Sequence, residues 1–246
     1  MRIWFFDFDG TLSEIVPDRR AAQLHPECAV MLKKLAGMPF EQVAIVSSRC
    51  LDDIAARVDI PDVIIGGCSG AEWQLPGERR ICINGNQEAV LERSRREILP
   101  ELLGIAAVEG IDIEDKLWSV AIHTKSVSAE LRGEIRARLT AWCEKRGMTM
   151  FSGHSVLDVQ MVPNFNKSIG LGFLTSFMKF NQARDRFVYA GDDENDAVAM
   201  RWTIQHRGTA IMVREQLLVP GALYVTGPTE LVCLVERLCK GDNGQE

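Results

Sequence analysis

The sequence predicts an α/β fold: a parallel-sheet core with a smaller α+β unit inserted into it. Short apolar runs rich in Val, Ile and Phe alternate with stretches of helical periodicity toward both ends of the chain, the pattern of parallel strands joined by crossover helices. From about Trp73 to Met161 the pattern changes to longer runs with two-residue alternation, as in an antiparallel sheet. The chain has 246 residues, 46% hydrophobic and 25% charged. At that length roughly 70 to 75% of the extended surface can be buried, enough for one large core or two smaller ones. The expected division is a core domain over 1–73 and 162–246 and an inserted unit over 74–161.

Each element has its own signal. Ile3 to Phe8 reads as the first strand, and Pro26 to Gly37 as a helix with Val30, Met31 and Leu35 on one side and Gly37 at its end. Val43 to Val46 is a strand, Leu51 to Val58 a helix, and Val63 to Ile65 a strand ending in Gly66-Gly67. In the middle, Gln87 to Leu103 reads as one helix. Leu117 to His123 reads as a half-buried strand with Leu117, Ser119, Ala121 and His123 on one face. Ala129 to Arg146 carries Leu131, Ile135, Leu139 and Trp142 on one helical stripe, and Gly147 stops it. The first rhythm then resumes: a helix from Lys167 to Phe180, a strand at Phe187 to Ala190, and a short helix after Glu194. Strands at Ala210 to Val213 and Leu223 to Val225 and a helix from Thr229 to about Lys240 follow, and Gly241 to Glu246 reads as a frayed tail.

Composition narrows the function. A net charge of −6 lacks the basic footprint that a phosphate backbone demands, so nucleic acid is not expected as a partner. The seven cysteines include no C-x-x-C pair and read as reduced thiols. With no apolar run of signal-peptide or membrane-span length, a cytoplasmic protein without a membrane partner is expected. Oligomeric state is left open, and a monomer is compatible with everything above.

The chemistry concentrates at strand ends. Asp7-Phe8-Asp9-Gly10-Thr11-Leu12 stands at the C-terminal end of the first strand, where open α/β sheets bind ligands. Strand geometry puts Asp7 and Asp9 on one face as the chain turns at Gly10, and two convergent carboxylates call for a cation. A second cluster, Gly191-Asp192-Asp193-Glu194-Asn195-Asp196, follows the strand Phe187 to Ala190. Hard oxygen ligands of this kind suit Mg2+. An Asx turn with a helix N-cap would explain one Asp, but explains four acids in five residues poorly. Ser47, ending the strand Val43 to Val46, and Lys167, opening a helix, could grip a phosphate; taken singly, Ser47 is more often an N-cap and Lys167 more often a solvated charge, and their places at strand-to-helix junctions change that balance.

The order DxDGT, Ser after a hydrophobic strand, Lys, then GDDxxD resembles the haloacid dehalogenase-like phosphohydrolase superfamily over nearly the whole chain. Within it, DFDGTLSEIVPDRRAAQL, IVSSR, GCSGAE, KLWSVAIHTK, VLDV and NKSIGL resemble the trehalose-6-phosphate phosphatases. The resemblance implies a Rossmann-like core with an inserted lid that sets substrate specificity. It implies Asp7 as nucleophile, Asp9 as general acid and base, and Ser47 and Lys167 on the non-transferring phosphate oxygens. Gly10 and Thr11 would assist through backbone N–H groups, and Arg49 would lie on the substrate side. Mg2+ would be held by the Asp7 carboxylate, the Asp9 backbone carbonyl and Asp192, with Asp193 and Asp196 in support.

A phosphate grip cannot tell one sugar from another, so specificity requires further polar groups. Glu72, Lys116, His123, Lys125 and Asp158 lie where the family keeps its sugar-contacting residues. Lys116 and Lys125 could equally face solvent, and His123 could be a satisfied edge histidine. The chain departs from the family's pattern with Ser48 in place of Gly, Lys125 in place of Arg, Asp158 in place of Glu, and GDDENDAVAM in place of GDDxTDExxF. The implied substrate is a small phosphorylated sugar, trehalose 6-phosphate or a similar one. Other lid-type relatives remain open: a sucrose-phosphate or mannosyl-phosphoglycerate phosphatase, a phosphohexomutase, or a non-catalytic sugar-phosphate-binding module.

Overall fold

A computed structural model describes residues 1–16, 18–83, 85–153, 155–181, 183–214 and 218–241. The chain divides into two compact units, one of residues 1–81 and 167–246, the other of residues 82–166. Of the tail expected to fray, 242–246 lies outside the described residues.

The first unit is built on an eight-stranded sheet. Its strands are β1 (Arg2–Phe6), β2 (Glu41–Val46), β3 (Val63–Gly67), β4 (Glu72–Leu75), β5 (Arg79–Cys82), β10 (Arg186–Gly191), β11 (Thr209–Val213) and β12 (Leu223–Val225), in spatial order β12-β11-β10-β1-β2-β3-β4-β5. The six strands from β12 to β3 pair in parallel, with Trp4 opposite both Val43 and Val188. Because β1 has β2 on one side and β10 on the other, the strand order reverses at its C-terminal end, which makes the crevice where such sheets bind ligands.

Two-residue alternation splits the sheet's apolar residues between two cores. Trp4, Phe6, Val43, Ile45, Val188 and Ile211 pack on one face with α1 (Pro26–Ala36), α2 (Leu51–Arg57) and α8 (Pro228–Gly241). Ile3, Phe5, Ala44, Val46, Tyr189 and Met212 pack on the other with α6 (Lys167–Phe177) and α7 (Glu194–Gln205). Burial on both faces is why these strands read as continuous apolar runs.

Three expectations need correction in this unit. The first strand ends at Phe6, and Asp7 lies just past it, its N–H still donating to Ala190 O of the neighbouring strand at 2.8 Å. The unit boundary falls after Ile81 and after Asn166, later than the expected 73 and 161. The first of these shifts comes from β4 and β5, which extend the core sheet, β4 antiparallel to β3 with Trp73 opposite Gly66. Finally, α6 stops at Phe177, short of Phe180, because Lys179 turns left-handed (φ 55°) and the Phe180 N–H closes on Thr175 O, a Schellman ending.

The second unit is a four-stranded antiparallel sheet of β6 (Asp112–Asp115), β7 (Ser119–His123), β8 (Met150–Gly153) and β9 (Val156–Gln160), in order β6-β7-β9-β8. It carries helices α3 (Gly85–Glu97), α4 (Leu99–Ala106) and α5 (Ala129–Arg146). The one helix expected over Gln87 to Leu103 is thus two, broken at Ile98, because Pro100 has no N–H to continue the ladder. Leu117 leaves the expected strand: its φ is +68°, its N–H is held by Asp115 Oδ1 at 2.9 Å, and it is exposed. Ser119 to Ile122 are buried on both faces, where half-burial was expected. Among the described residues no helix is long and apolar enough to cross a membrane.

Candidate active site

The C-terminal ends of β1 and β10 gather the acidic motifs. Asp7 is buried, and the ammonium of Lys167, at the first turn of α6, donates to Asp7 Oδ1 and to Asp196 Oδ1, each at 2.6 Å. Tyr189, two positions before the end of β10, donates its hydroxyl to the same Asp196 oxygen at 2.5 Å. The other oxygen of Asp196 accepts the N–H groups of Asp192 and Asp193 at 3.0 and 3.1 Å. Four donors fill the four lone-pair sites of one carboxylate. Asp196 therefore anchors Lys167 and the acidic turn.

Asp193 is the N-cap of α7: it accepts the Asp196 N–H at 2.9 Å and completes a capping box. Asn195 ties this helix to its neighbours, accepting from Lys167 N at 3.2 Å and donating to Ser69 Oγ at 3.1 Å.

The electrostatics show an excess of negative charge. Burial, and then the carboxylate of Asp196, hold Asp7 well above the usual carboxylate range despite Lys167. Burial with Asp196 and Asp193 pushes Asp192 up to about 8, and burial with Asp196 pushes Asp193 up to about 7. Asp196 moves the other way, because attraction to Lys167 and the hydrogen bonds it accepts outweigh its burial. Lys167 is held well above its ordinary value, since Asp196 and Asp7 outweigh its desolvation.

Asp7, Asp192 and Asp196 each bring a carboxylate oxygen within 4.8 Å of the others, the one such cluster among the described residues. An all-oxygen donor set short of positive charge fits a hard divalent cation such as Mg2+. Of the acids expected to hold it, Asp7 and Asp192 retain unsaturated carboxylates, whereas Asp193 caps a helix and Asp196 is spent on internal donors.

Gly10 allows the close approach of these loops. It takes φ +83°, and a Cβ there would stand 2.1 Å from Asp192 Oδ2. Its carbonyl accepts from Arg214 Nη1 at 2.9 Å, and that nitrogen lies 3.8 Å from Asp192 Oδ2. Arg214, Tyr189 and Asn195 were not among the expected site residues. Arg214 follows the strand β11 directly, so the strand-end rule that selected Asp7 and Asp192 points to it as well. The N–H of Thr11, expected to face phosphate, donates to Phe8 O at 3.3 Å, while its buried Oγ1 has no hydrogen-bond partner.

Ser47 lies one residue past the end of β2. Its Oγ accepts the Arg49 N–H at 3.2 Å, and a hydroxyl that accepts still has its own hydrogen to donate. Asp9 and Arg49 form a bidentate ion pair, Nε to Oδ2 and Nη2 to Oδ1, both 2.7 Å. Arg49 was expected on the substrate side; its guanidinium is instead buried and occupied, with Asp53 at 2.7 Å and Arg19 O at 2.6 Å as its other acceptors.

Of the residues expected to contact sugar, Glu72 lies on β4 of the first unit, opposite Gly67. The others lie in the second unit. Lys116 and Asp158 form a buried ion pair at 2.8 Å, and Asp158 also accepts from Ser119 Oγ at 3.1 Å and Gln160 Nε2 at 3.0 Å. His123 Nε2 lies 3.2 Å from Glu114 Oε2, and Lys125 is exposed.

A trehalose-phosphate phosphatase of Mycobacterium marinum is 31% identical over 216 residues, covering 85% of this chain and 53% of that one. A probable trehalose-phosphate phosphatase D of Arabidopsis thaliana is 27% identical over 249 residues, covering 96% of this chain and 66% of that one. The chain spans about half the length of the mycobacterial relative. In fold it is similar to the C-terminal domain of the C. albicans trehalose-6-phosphate phosphatase, with a TM-score of 0.82 at 17% identity over 96% of this chain and 92% of that one. The family model for trehalose-phosphatase matches residues 5–217, a span from β1 past Arg214 that takes in the motif residues in order, and the chain belongs to that family.

Proposed function

We propose that the protein is a Mg2+-dependent phosphatase that hydrolyses a sugar phosphomonoester, trehalose 6-phosphate or a similar sugar phosphate, through an aspartyl-phosphate intermediate. The observation that carries this reading is the buried Asp7 carboxylate at the end of β1, touched by one buried cation, Lys167, and flanked by acids in excess of positive charge. Family membership supports the substrate class.

In this reading an Asp7 oxygen attacks phosphorus, the bond from phosphorus to the sugar oxygen breaks, and Asp9 protonates the departing oxygen. Water then attacks the same phosphorus, yields its proton to Asp9, and releases Asp7 and inorganic phosphate. Ser47 and Lys167 hold the non-transferring oxygens, where negative charge must be balanced. Asp196 and Tyr189 act behind them by fixing Lys167. The Asp7 and Asp192 carboxylates, with the Asp9 backbone carbonyl, would hold Mg2+, which when bound neutralises charge on the phosphoryl group.

The second unit is assigned the choice of sugar, through His123, Lys125 and the Lys116–Asp158 pair. The seven cysteines, which include no C-x-x-C pair and read as reduced thiols, support a reducing, cytoplasmic setting. A panel of phosphorylated sugars with phosphate release as the readout tests the proposal: release from trehalose 6-phosphate or a related disaccharide phosphate, dependent on Mg2+, is expected. Phosphate release from none of the panel, or transfer of the phosphoryl group within a hexose phosphate without release, would overturn it.

A further inference from the structure

Asp9 is asked to exchange protons, yet both its oxygens are engaged by one guanidinium. Arg49 donates Nε to Oδ2 and Nη2 to Oδ1, both at 2.7 Å. A fork of this kind uses one lone pair on each oxygen and leaves the other. The pair is lopsided in burial: the Arg49 side chain is 3% exposed and the Asp9 side chain 43%. The free lone pairs of Asp9 therefore belong to the solvent-facing side, where a ligand arrives, while Arg49 forms the floor.

That floor is itself fixed. Arg49 Nη1 donates to Asp53 at 2.7 Å and Nη2 to Arg19 O at 2.6 Å, so four of its five N–H groups are committed. Asp53 is held in turn by Arg57 Nη2 at 2.9 Å, and Arg57 Nη1 reaches Ala22 O at 2.6 Å and Arg20 O at 3.1 Å. Arg49, Asp53 and Arg57, spaced four apart along and just before α2, thus tie Asp9 and the backbone of residues 19–22 to one helix.

We infer that Arg49 is a positioning residue for Asp9, holding its carboxylate in the one orientation that serves the proton transfers, and that the Asp53–Arg57 pair behind it sets its place. The inference rests on the reading of Asp9 as general acid and base. It separates Arg49 from the phosphate-binding role, since a buried guanidinium with its donors spent inside the protein has little left for a substrate. No bond to Arg49 forms or breaks in either step; it sets only where Asp9 gives and takes its proton.

The test compares Arg49→Met, Arg49→Lys and Asp53→Asn, alone and in an Asp9→Asn background, by steady-state kinetics. Trehalose 6-phosphate serves as the sugar substrate, and p-nitrophenyl phosphate, whose leaving group needs little protonation, keeps activity measurable in the Asp9→Asn background. General acid–base catalysis contributes on the order of 100-fold or more, so Arg49→Met is expected to lower kcat on the sugar substrate by about 30-fold or more with KM within about threefold. Arg49→Lys should restore only part, because an ammonium cannot bridge both oxygens. Asp53→Asn should lower kcat in the same direction by less. In the Asp9→Asn background Arg49→Met should add less than about threefold, since a residue acting only through Asp9 has nothing left to position.

A KM that rises with kcat held, or a full further loss in the Asp9→Asn background, would return Arg49 to the substrate. Unchanged kinetics would overturn the inference outright. If Arg49→Met does not fold, Arg49→Lys and Asp53→Asn decide the matter by the same split of kcat from KM. An active wild-type chain impaired by Asp9→Asn but indifferent to all three variants sinks this inference alone; a wild-type chain that releases no phosphate takes the functional reading with it.

Discussion

The Lys167 ammonium lies 2.6 Å from Asp7 Oδ1, and both side chains are buried. Lys167 also serves Asp196 at 2.6 Å, so one buried cation answers two carboxylates while Asp192 and Asp193 stand beside them.

This shortage gives a pH signature. Burial and neighbouring acids raise Asp192 from 3.8 to about 8 and Asp193 from 3.8 to about 7 in the folded chain. Such groups bind more protons folded than unfolded, so the stability they contribute is present at low pH and lost as pH rises from about 4 to about 8. Asp196, lowered instead, contributes stability that is lost only on acidification below its ordinary range. In chelator, Tm is expected to fall between pH 5 and 8, and Mg2+ at pH 8 to restore it. A Tm that ignores Mg2+ and does not fall over this range would show that the acids are already balanced.

Gly10→Ala should separate the metal from the fold. The new Cβ would sit 2.1 Å from Asp192 Oδ2 in a φ +83° conformation, so Asp192 must move. A backbone strain of about 1–3 kcal/mol is expected, together with loss of most of the Mg2+-induced rise in Tm. A variant with the wild-type response to Mg2+ would place the ion away from Asp192.

Tyr189→Phe removes one of the four donors on the buried Asp196. Losing a hydrogen bond to a buried charge costs about 1.5–3 kcal/mol, measurable as a lower urea midpoint at unchanged slope. Stability unchanged within error would mean that Asp196 does not depend on the tyrosine.

For the second unit, Lys125→Ala is the cleaner variant, because Lys125 is exposed whereas Lys116 is buried against Asp158. Lys116→Met should cost about 3–5 kcal/mol by leaving Asp158 uncompensated, which confounds kinetics with folding. Lys125→Ala is expected to lower kcat/KM for the sugar phosphate several-fold and to leave p-nitrophenyl phosphate nearly unchanged, because a contact made only to sugar cannot assist a substrate without it. Equal losses on both substrates, or none, would remove Lys125 from sugar recognition.

How much of this was legible in the sequence depended on whether the cause was local. The central strands announced themselves because Trp4, Ile45 and Val188 bury one face while Ile3, Ala44 and Tyr189 bury the other. Strand β5 did not, because Arg79 and Arg80 are exposed at the sheet's edge and supply no apolar run. Pro100 marked a break that helical periodicity alone ran through. The acids Asp7, Asp9, Asp192 and Asp196 were visible as clusters, but their division of labour was not. That Asp196 is saturated, that Asp193 caps a helix and that Arg49 faces Asp9 all depend on which loops the fold brings together, as does the approach of Arg214 to the Gly10 carbonyl.

The most direct test is the ratio of kcat/KM for wild type over Asp7→Asn on trehalose 6-phosphate with Mg2+. Asn keeps the size of Asp7 while removing its charge beside Lys167, so the variant should fold, with a melting temperature in chelator no lower than wild type. With the nucleophile gone, the ratio is expected to be about 10,000 or more, roughly 5.5 kcal/mol of transition-state stabilisation. A folded Asp7→Asn protein whose turnover stays within about tenfold of wild type, a difference of roughly 1.4 kcal/mol, would contradict covalent catalysis by Asp7.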